Sequence, residues 1–315
     1  MCLRIYFFLF FFLSVSWAVA QNQSIFFLKN NGVEVKTRDS ADFIRIISEP
    51  DSGTTLFNIK EYYVNGKIKF IGKATQFDKI VLEGPSVSFY PSGKRSQMGT
   101  YYRGNLVGDV YTYYPNGKIY RIINYNYFKA RGLLIYNGCQ IKTSNDSTGK
   151  NLVTEGNGYS ITYDDEFKNI FEEGPIKNGV KNGIWKGKTL DSNQISYTES
   201  YRDDKLISGK STDKNGKFYS YNIHYKSATQ IHDDGSLFKA LNLDSKQPIS
   251  KNQGEVTFYI DKDGAVLDLK IIGKLDDVSK SDILTAVSRK WSPCLLCGVP
   301  IKAFMSFPIK CKEDH

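Results

Sequence analysis

Hydrophobic and polar positions alternate along most of this chain, as they do in β-strands that bury one face. Two stretches carry the pattern best, VSFYPSGKRSQMGTYY (Val87–Tyr102) and VYTYYPNGKIYRIINYNY (Val110–Tyr127). In each, runs rich in Tyr, Phe, Val and Ile flank a Pro-Ser-Gly or Pro-Asn-Gly triplet. Proline presets one turn torsion and glycine accepts a positive φ. Each stretch is therefore predicted to form a β-hairpin.

The hairpin motif recurs. YYVNGK (Tyr62–Lys67), FYPSGK (Phe89–Lys94) and YYPNGK (Tyr113–Lys118) start about 27 and then about 24 residues apart, and such a period indicates a repeat array. A second motif, YRGNLVG at Tyr102–Gly108, interleaves with the first and has echoes further along the chain. Because one hairpin cannot bury its own apolar face, the hairpins are expected to stack into a long antiparallel sheet.

The pattern changes after Gly254. Glu255–Ile260 and Ala265–Gly273 alternate on either side of an Asp-Lys-Asp-Gly turn, which predicts another hairpin. The segment Ser279–Trp291 carries apolar residues at every fourth position and predicts a short helix, with Ser279 as its N-cap. A last strand is predicted at Ile301–Lys310. The expected order is β-β-α-β, one helix on a small antiparallel sheet.

Composition agrees with a mainly β chain, since aromatic residues make up 14% of it. The formal net charge is +9, but no run of like charges concentrates it. Nucleic-acid binding calls for a clustered basic stripe, so none is predicted here. The N-terminus has one basic residue, an apolar region too short to span a bilayer comfortably, and the small residues of Ala-Val-Ala before Gln21. This indicates a secretory signal peptide cleaved between Ala20 and Gln21.

The repeats, with Tyr-x-x-Gly-Lys followed by the Tyr102–Gly108 type of motif, resemble the MORN-repeat variant of bacterial proteins. The resemblance implies a β-hairpin array and no particular activity. Together with the signal it divides the chain into a signal peptide (1–20), a β lead-in (21–57) and hairpin repeats (58–230).

The segment from about 234 to 315 resembles the C-terminal domain of TonB. The residues that carry the resemblance are GEVTFYIDKDGAVLDLKI, the helix ending in RKW, Pro293, GVPI and the closing FPI. It implies a module that adds an extended partner segment as a strand at its sheet edge. The last strand is the candidate edge, so partner contacts are expected at Ile301, Lys302, Ala303, Phe304, Met305, Ser306 and Phe307.

These features together predict an exported, non-enzymatic adaptor of a Gram-negative cell envelope, located in the periplasm or on its face. Envelope proteins, outer-membrane transporters among them, are the expected partners. Two alternatives stay open. The first is a TonB-type energy transducer that keeps its N-terminus as an anchor, although the spacer of such a protein is replaced here by hairpins. The second is a structural envelope protein whose C-terminal module forms a homodimer.

The chain has five cysteines, two of them in the Cys-x-x-Cys stretch WSPCLLCGVPI. Cys294, Cys297, Cys311 and His315 have a spacing close to that of a zinc finger. A strand over Ile301–Lys310 would hold its two ends roughly 30 Å apart, which prevents those ligands from converging. In an oxidising compartment a local Cys294–Cys297 disulfide is favoured over a catalytic dithiol. Cys139 and Cys311 are then either paired or free.

No catalytic motif stands out elsewhere. The Asp-Lys-Asp-Gly turn lacks the further ligands of a calcium loop, and Lys186–Thr189 lacks the glycine of a phosphate loop. His224 and His232 are interpreted as surface residues. The sequence therefore predicts no enzyme, no cofactor and no metal site.

Overall fold

The computed structural model describes residues 23–130, 133–231, 235–243, 254–273, 275 and 277–311. The predicted signal peptide and its cleavage site between Ala20 and Gln21 lie outside these residues. The fold is mainly β and its strands pair almost entirely antiparallel, which confirms that part of the prediction. Within the described residues, no helix has both the length and the apolar character needed to cross a membrane.

The chain divides into two compact units. The first contains the described residues up to Ile119 together with Asn124–Asn137, and the second contains Tyr120–Ile123 and the described residues from Gly138 onward. The predicted boundary between residues 230 and 234 thus falls inside the second unit.

The strands before residue 131 are β1 (Gln23–Leu28), β2 (Glu34–Val35), β3 (Phe43–Ser48), β4 (Phe57–Tyr63), β5 (Ile68–Ala74), β6 (Gly84–Phe89), β7 (Arg95–Tyr102), β8 (Asn105–Tyr113) and β9 (Ile119–Ala130), with a 3-10 turn at Arg38–Ser40. The next strands are β10 (Leu133–Asn145), β11 (Asn151–Thr154), β12 (Asn157–Tyr163), β13 (Ile170–Lys177), β14 (Val180–Lys181), β15 (Gly183–Lys188), β16 (Ser196–Arg202), β17 (Lys205–Thr212) and β18 (Phe218–Tyr221). The remaining elements are β19 (Tyr225–Lys226), β20 (Thr229–Gln230), α1 (Ser236–Leu241), β21 (Asn242–Leu243), β22 (Gly254–Ile260), β23 (Val266–Gly273), α2 (Asp277–Val287), β24 (Trp291–Ser292), β25 (Cys294–Leu296), β26 (Val299–Ile301) and β27 (Ala303–Cys311).

The turns of the repeats form as predicted. In the first, Gly66 N–H donates to Tyr63 O at 2.8 Å and Tyr63 N–H donates to Lys67 O at 2.8 Å. The same pair of bonds recurs at Tyr90 and Tyr114 and, with longer distances, at Asp213. The glycine has φ 82, 90, 89 and 80 in the four turns, a region that suits glycine because it has no Cβ.

Side chains of one repeat also bond to the next. The Tyr63 hydroxyl donates to Phe89 O at 2.7 Å, and one repeat later the Tyr90 hydroxyl donates to Tyr113 O at 2.5 Å. Lys94 Nζ donates to Asn116 O at 2.9 Å. The motif residues therefore join neighbouring hairpins and need no ligand to explain them.

The second motif forms a tighter, two-residue turn. Arg103 and Gly104 have φ 49 and 80, and Asn178 and Gly179 have φ 53 and 82, as a type I′ hairpin turn requires. Between such turns the strands alternate. On β15, Trp185 is 1% exposed while its neighbour Ile184 is 54% exposed. The Trp185 ring occupies the space over Gly174, where an added Cβ would lie only 2.4 Å from it.

The elements after Gly254 follow the predicted β-β-α-β order with additions. The sheet has the strand order β21-β27-β22-β23. Its buried face packs against α1 and α2, forming a core of Ala228, Leu237, Leu241, Val256, Phe258, Ile260, Ile283, Ala286, Val287, Trp291, Cys294 and Ile309. In the predicted hairpin turn, Asp261 N–H donates to Ala265 O at 2.8 Å, so that prediction is confirmed.

Two boundaries differ from the sequence prediction. The helix runs over Asp277–Val287, so Ser279 lies inside it and Trp291 lies outside it. Trp291 instead enters β24, which pairs with β20, and its indole N–H donates to Val287 O at 2.8 Å. The predicted strand Ile301–Lys310 is divided as well. Ile301 ends β26 and β27 begins at Ala303, because β25 and β26 form a hairpin of their own.

Candidate functional site

The predicted partner-binding residues lie on β27 and at the end of β26. β27 pairs with β22 in an unbroken antiparallel register, from Ala303 opposite Ile260 to Ile309 opposite Gly254. On its other side, β21 pairs only with Lys310 and Cys311. Among the described residues, no strand pairs with that side of the chain between Ala303 and Ile309. Within the described residues, most of β27 therefore has a partner strand on one side only.

Pro308 indicates which backbone groups face the open side. It lies opposite Glu255, and proline has no N–H to donate to β22. The Pro308–Glu255 pair must therefore be of the kind without mutual hydrogen bonds, in which the backbone groups point away from the partner strand. Because the two kinds of pair alternate, Phe304 and Ser306 direct their N–H and C=O groups the same way. Within the part of the chain that the structure describes, they form a short row of donors and acceptors without a partner strand.

The two faces of β27 differ. Met305 and Phe307 pack on the buried core, and Phe307 stacks with Phe258 at a centroid distance of 5.9 Å. Phe304 is on the opposite face and is 57% exposed. Its ring lies 5.3 Å from that of Tyr259, and Lys302 Nζ lies 4.5 Å from the Tyr259 ring centroid. The open backbone edge is thus accompanied by a small exposed aromatic group.

β23 is the other edge strand of this sheet, and it is less suited to receive another strand. Its register with β22 shifts between Thr257 and Tyr259, and Asp268 has φ 52. A bulge and charged side chains are features that block pairing at sheet edges. The regular edge is therefore that of β27.

The predicted Cys294–Cys297 disulfide is not formed, and this is a correction. Both are free, buried thiols, and Cys139 is a free, exposed one. Cys294 packs in the core of the C-terminal sheet, where its Sγ accepts a 3.1 Å hydrogen bond from Ala228 N–H. Cys297 packs in a different cluster. The physical reason is the hairpin of β25 and β26, which separates the two side chains. The Cys311 side chain and His315 lie outside the described residues.

Cys297 is at the tip of that hairpin. It has φ 49 and Gly298 has φ 77, the same two-residue turn that the repeats use. The tip packs on the last repeat strands through Ile195, Tyr197, Tyr219 and Tyr221. The backbone of Cys297 is held at both ends: its N–H donates to His224 O at 2.7 Å, and its C=O accepts from Ser211 Oγ at 2.6 Å.

Beside the Cys297 thiol lies a buried carboxylate. Glu199, on β16, is 0% exposed, and its two oxygens accept three hydrogen bonds. His224 Nδ1 donates to Oε1 at 2.6 Å, Tyr221 OH donates to Oε1 at 2.9 Å, and Tyr201 OH donates to Oε2 at 2.9 Å. Cys297 Sγ lies 3.8 Å from both ring nitrogens of His224. One ligand atom from each of Glu199, His224 and Cys297 lies within 4.8 Å of the other two. We call these three residues the EHC cluster.

The charges of the cluster follow from its contacts. Hydrogen bonds to Cys297 and Glu199 raise the pKa of His224 to about 10, despite its partial burial. Burial by itself raises the pKa of the Glu199 carboxyl, but the bonds from His224 and the two tyrosines outweigh it, so this pKa lies below its usual value. At neutral pH the pair is therefore a carboxylate and an imidazolium. Burial and the neighbouring Cys297 and Glu199 raise the pKa of Tyr221.

The EHC cluster was not predicted. His224, interpreted from the sequence as a surface residue, has a side chain that is only 40% exposed and faces Glu199. The sequence does contain a signal for Glu199: in β16 and the residue before it, every second residue (Ile195, Tyr197 and Glu199) is buried. A charged residue at an inward position indicates a buried polar partner. Nothing local indicates which residue supplies it. The sulfur of Cys297 is fully buried, so in this conformation a substrate cannot reach it.

Comparison with known proteins gives no assignment. No family model matches the chain, and no curated protein or solved structure matches it. The likenesses to MORN repeats and to the TonB C-terminal domain therefore stay predictions made from the residues.

Proposed function

We propose that the protein is an exported, non-enzymatic adaptor of the bacterial cell envelope that binds partner proteins by strand addition at β27. In this proposal the hairpin repeats are a MORN-like platform, and the segment after Gly254 is a TonB-like module. The expected partners are envelope proteins, outer-membrane transporters among them. Export rests on the N-terminal sequence alone.

The observation that carries the proposal is the open side of β27. Strand addition requires a straight row of backbone donors and acceptors without a partner. The register of β27 with β22 continues without a bulge from Ala303 to Ile309, so a partner strand can pair along the same length. The bulged β23 lacks this regularity.

The side chains indicate what kind of segment fits. A strand added beside β27 alternates its side chains between the two faces of the sheet. On the exposed face it meets Phe304, which leaves half of its surface open. An extended segment with an apolar or aromatic residue at alternate positions would bury that ring. The backbone bonds supply affinity and the side-chain contacts supply selectivity.

Site-specific photocrosslinking tests the proposal. A photoreactive amino acid is placed at Phe304 in the full chain, expressed in the bacterium that carries it, and the crosslinked peptides are identified by mass spectrometry. The matched control carries the same group at Ile272, an exposed apolar residue of β23 that is 55% exposed. We expect crosslinks to one extended segment of an envelope protein from position 304 and none from position 272.

A synthetic peptide of the captured segment is then titrated against the wild-type chain and against the Ser306→Pro variant, which lacks one open N–H. Binding that survives this substitution at full strength contradicts strand addition. Crosslinks that join only two copies of the chain favour the homodimer. Equal crosslinking from both positions, or none at all, overturns the proposal.

A further inference from the structure

We propose that the EHC cluster binds a zinc ion, or another divalent transition metal of similar ligand preference, with Glu199, His224 and Cys297 as three protein ligands. The inference does not depend on partner binding at β27. It concerns a different part of the second unit.

The ligand types fit this class of metal. Zinc in proteins is bound by thiolate sulfur, imidazole nitrogen and carboxylate oxygen, and sites with three protein ligands keep a fourth position for solvent. A thiolate excludes calcium and magnesium as preferred occupants, because these ions take oxygen ligands. The sum of charges is also balanced, since a carboxylate and a thiolate neutralise one divalent ion.

The three ligand atoms lie within 4.8 Å of one another, somewhat further apart or differently directed than in a tetrahedral site. Bonds of about 2.3 Å to sulfur and about 2.0 Å to nitrogen and oxygen place the sulfur about 3.5 Å and the oxygen about 3.3 Å from the nitrogen. Here Cys297 Sγ lies 3.8 Å from His224 Nδ1, and Glu199 Oε1 lies 2.6 Å from it. Because Sγ is equally far from Nδ1 and Nε2, it does not lie along the Nδ1 lone pair, and a metal requires the imidazole to turn toward the sulfur as well as the carboxylate to move away from Nδ1. The ion takes the place of the Nδ1 proton, and that proton and the thiol proton leave to solvent.

The surroundings support metal ligands. Tyr201 and Tyr221 donate to the two oxygens of Glu199 and orient it, as outer partners of metal-binding carboxylates do. The Cys297 backbone is held by His224 O and by Ser211 Oγ. His224 remains 40% exposed and offers the entry route, while Glu199 and Cys297 are buried.

Cobalt(II) titration tests the site in the untagged mature chain, reduced and stripped of metal by a chelator. We expect one equivalent of cobalt to bind with a thiolate-to-cobalt charge-transfer band and the strong visible bands of a tetrahedral ion, and zinc to displace it. Cys297→Ser should abolish the charge-transfer band, and His224→Gln should abolish tight binding. Tyr221→Phe should weaken affinity by about 10- to 100-fold.

Cys139→Ser and His232→Gln are the matched controls, and they should bind cobalt like the wild type. A charge-transfer band that persists in Cys297→Ser, or no band in the wild-type chain, overturns the proposal. Circular dichroism verifies that each variant is folded. If the ligand variants do not fold, X-ray absorption of the zinc-loaded wild type decides instead: one sulfur among nitrogen and oxygen neighbours supports the site, and a shell without sulfur contradicts it.

Discussion

His224 Nδ1 donates a 2.6 Å hydrogen bond to Glu199 Oε1, 25 residues away in sequence, and this carboxylate is fully buried. Removing one partner of a buried ion pair leaves the other charge uncompensated. We therefore expect Glu199→Ala to lower the free energy of unfolding of the metal-free chain by roughly 3–5 kcal/mol.

Urea unfolding in the presence of a chelator measures this change. Glu166→Ala is the control, because Glu166 and Lys168 form an ion pair whose side chains are both more than two-thirds exposed. It should cost at most about 1 kcal/mol. Equal effects of the two substitutions would contradict a buried, paired Glu199.

The alternation of β15 predicts that substitutions at two adjacent positions change stability by very different amounts. Trp185 is 1% exposed, and its indole N–H donates to Pro175 O at 3.0 Å. Trp185→Ala should destabilise the chain by about 3–5 kcal/mol, because it leaves a large cavity. Ile184→Ala, at a position 54% exposed, should change stability by no more than about 0.5 kcal/mol. Denaturant unfolding measures the stability of both variants. A large loss of stability in Ile184→Ala would contradict the assignment of Trp185 to the buried face and Ile184 to the exposed face.

The turn of the second repeat allows the energetic cost of a positive φ to be measured without steric clashes. Gly93 has φ 90, and a Cβ added there meets nothing within 4 Å. Gly93→Ala should cost about 1–2 kcal/mol through backbone strain alone. Gly93→Asn should cost less, since asparagine enters the left-handed region more readily than alanine does. Thermal unfolding of both variants checks this order, and the reverse order would contradict the turn geometry.

The register of β27 predicts different outcomes for proline at neighbouring positions. Ser306 directs its N–H to the open side, so Ser306→Pro should leave the sheet intact. Met305 gives its N–H to β22 by the same alternation, and Met305→Pro should cost about 1–3 kcal/mol for the lost bond alone. Hydrogen exchange of the β22 amides compares the two variants. Protection lost in Ser306→Pro but kept in Met305→Pro would reverse the assigned alternation.

Thiol counting tests the correction to the cysteine pairing. In a chain of residues 21–315 that carries Cys311→Ser and is kept free of metal, Cys139 should react at once with a thiol reagent, because it is exposed. Cys294 and Cys297 should react only after denaturation, which then yields three free thiols without reduction. Recovery of one free thiol instead of three would show that Cys294 and Cys297 form the local disulfide after all. The Cys294→Ser variant, which cannot form that bond, is the control.

The sequence alone determined the features that depend on a few neighbouring residues. Turns such as Tyr90–Lys94 form because proline restricts its φ angle and glycine accepts a positive φ, and both effects are local. The alternation of apolar and polar residues likewise predicts the strands, and it predicts the hairpin over Glu255–Gly273. Pro308, which has no N–H to donate, agrees with a strand that pairs on one side only, but the expectation of an edge there came from the resemblance to the TonB C-terminal domain.

Only the tertiary structure decided the rest. The helix ends at Val287 because Trp291 pairs in β24 instead, and no local signal opposed the four further helical residues that the sequence predicted. The Cys294 and Cys297 thiols separate because a hairpin directs them into different cores. Glu199, His224 and Cys297 meet because the tip of that hairpin packs against β16, and contacts at such sequence separation depend on how whole elements pack.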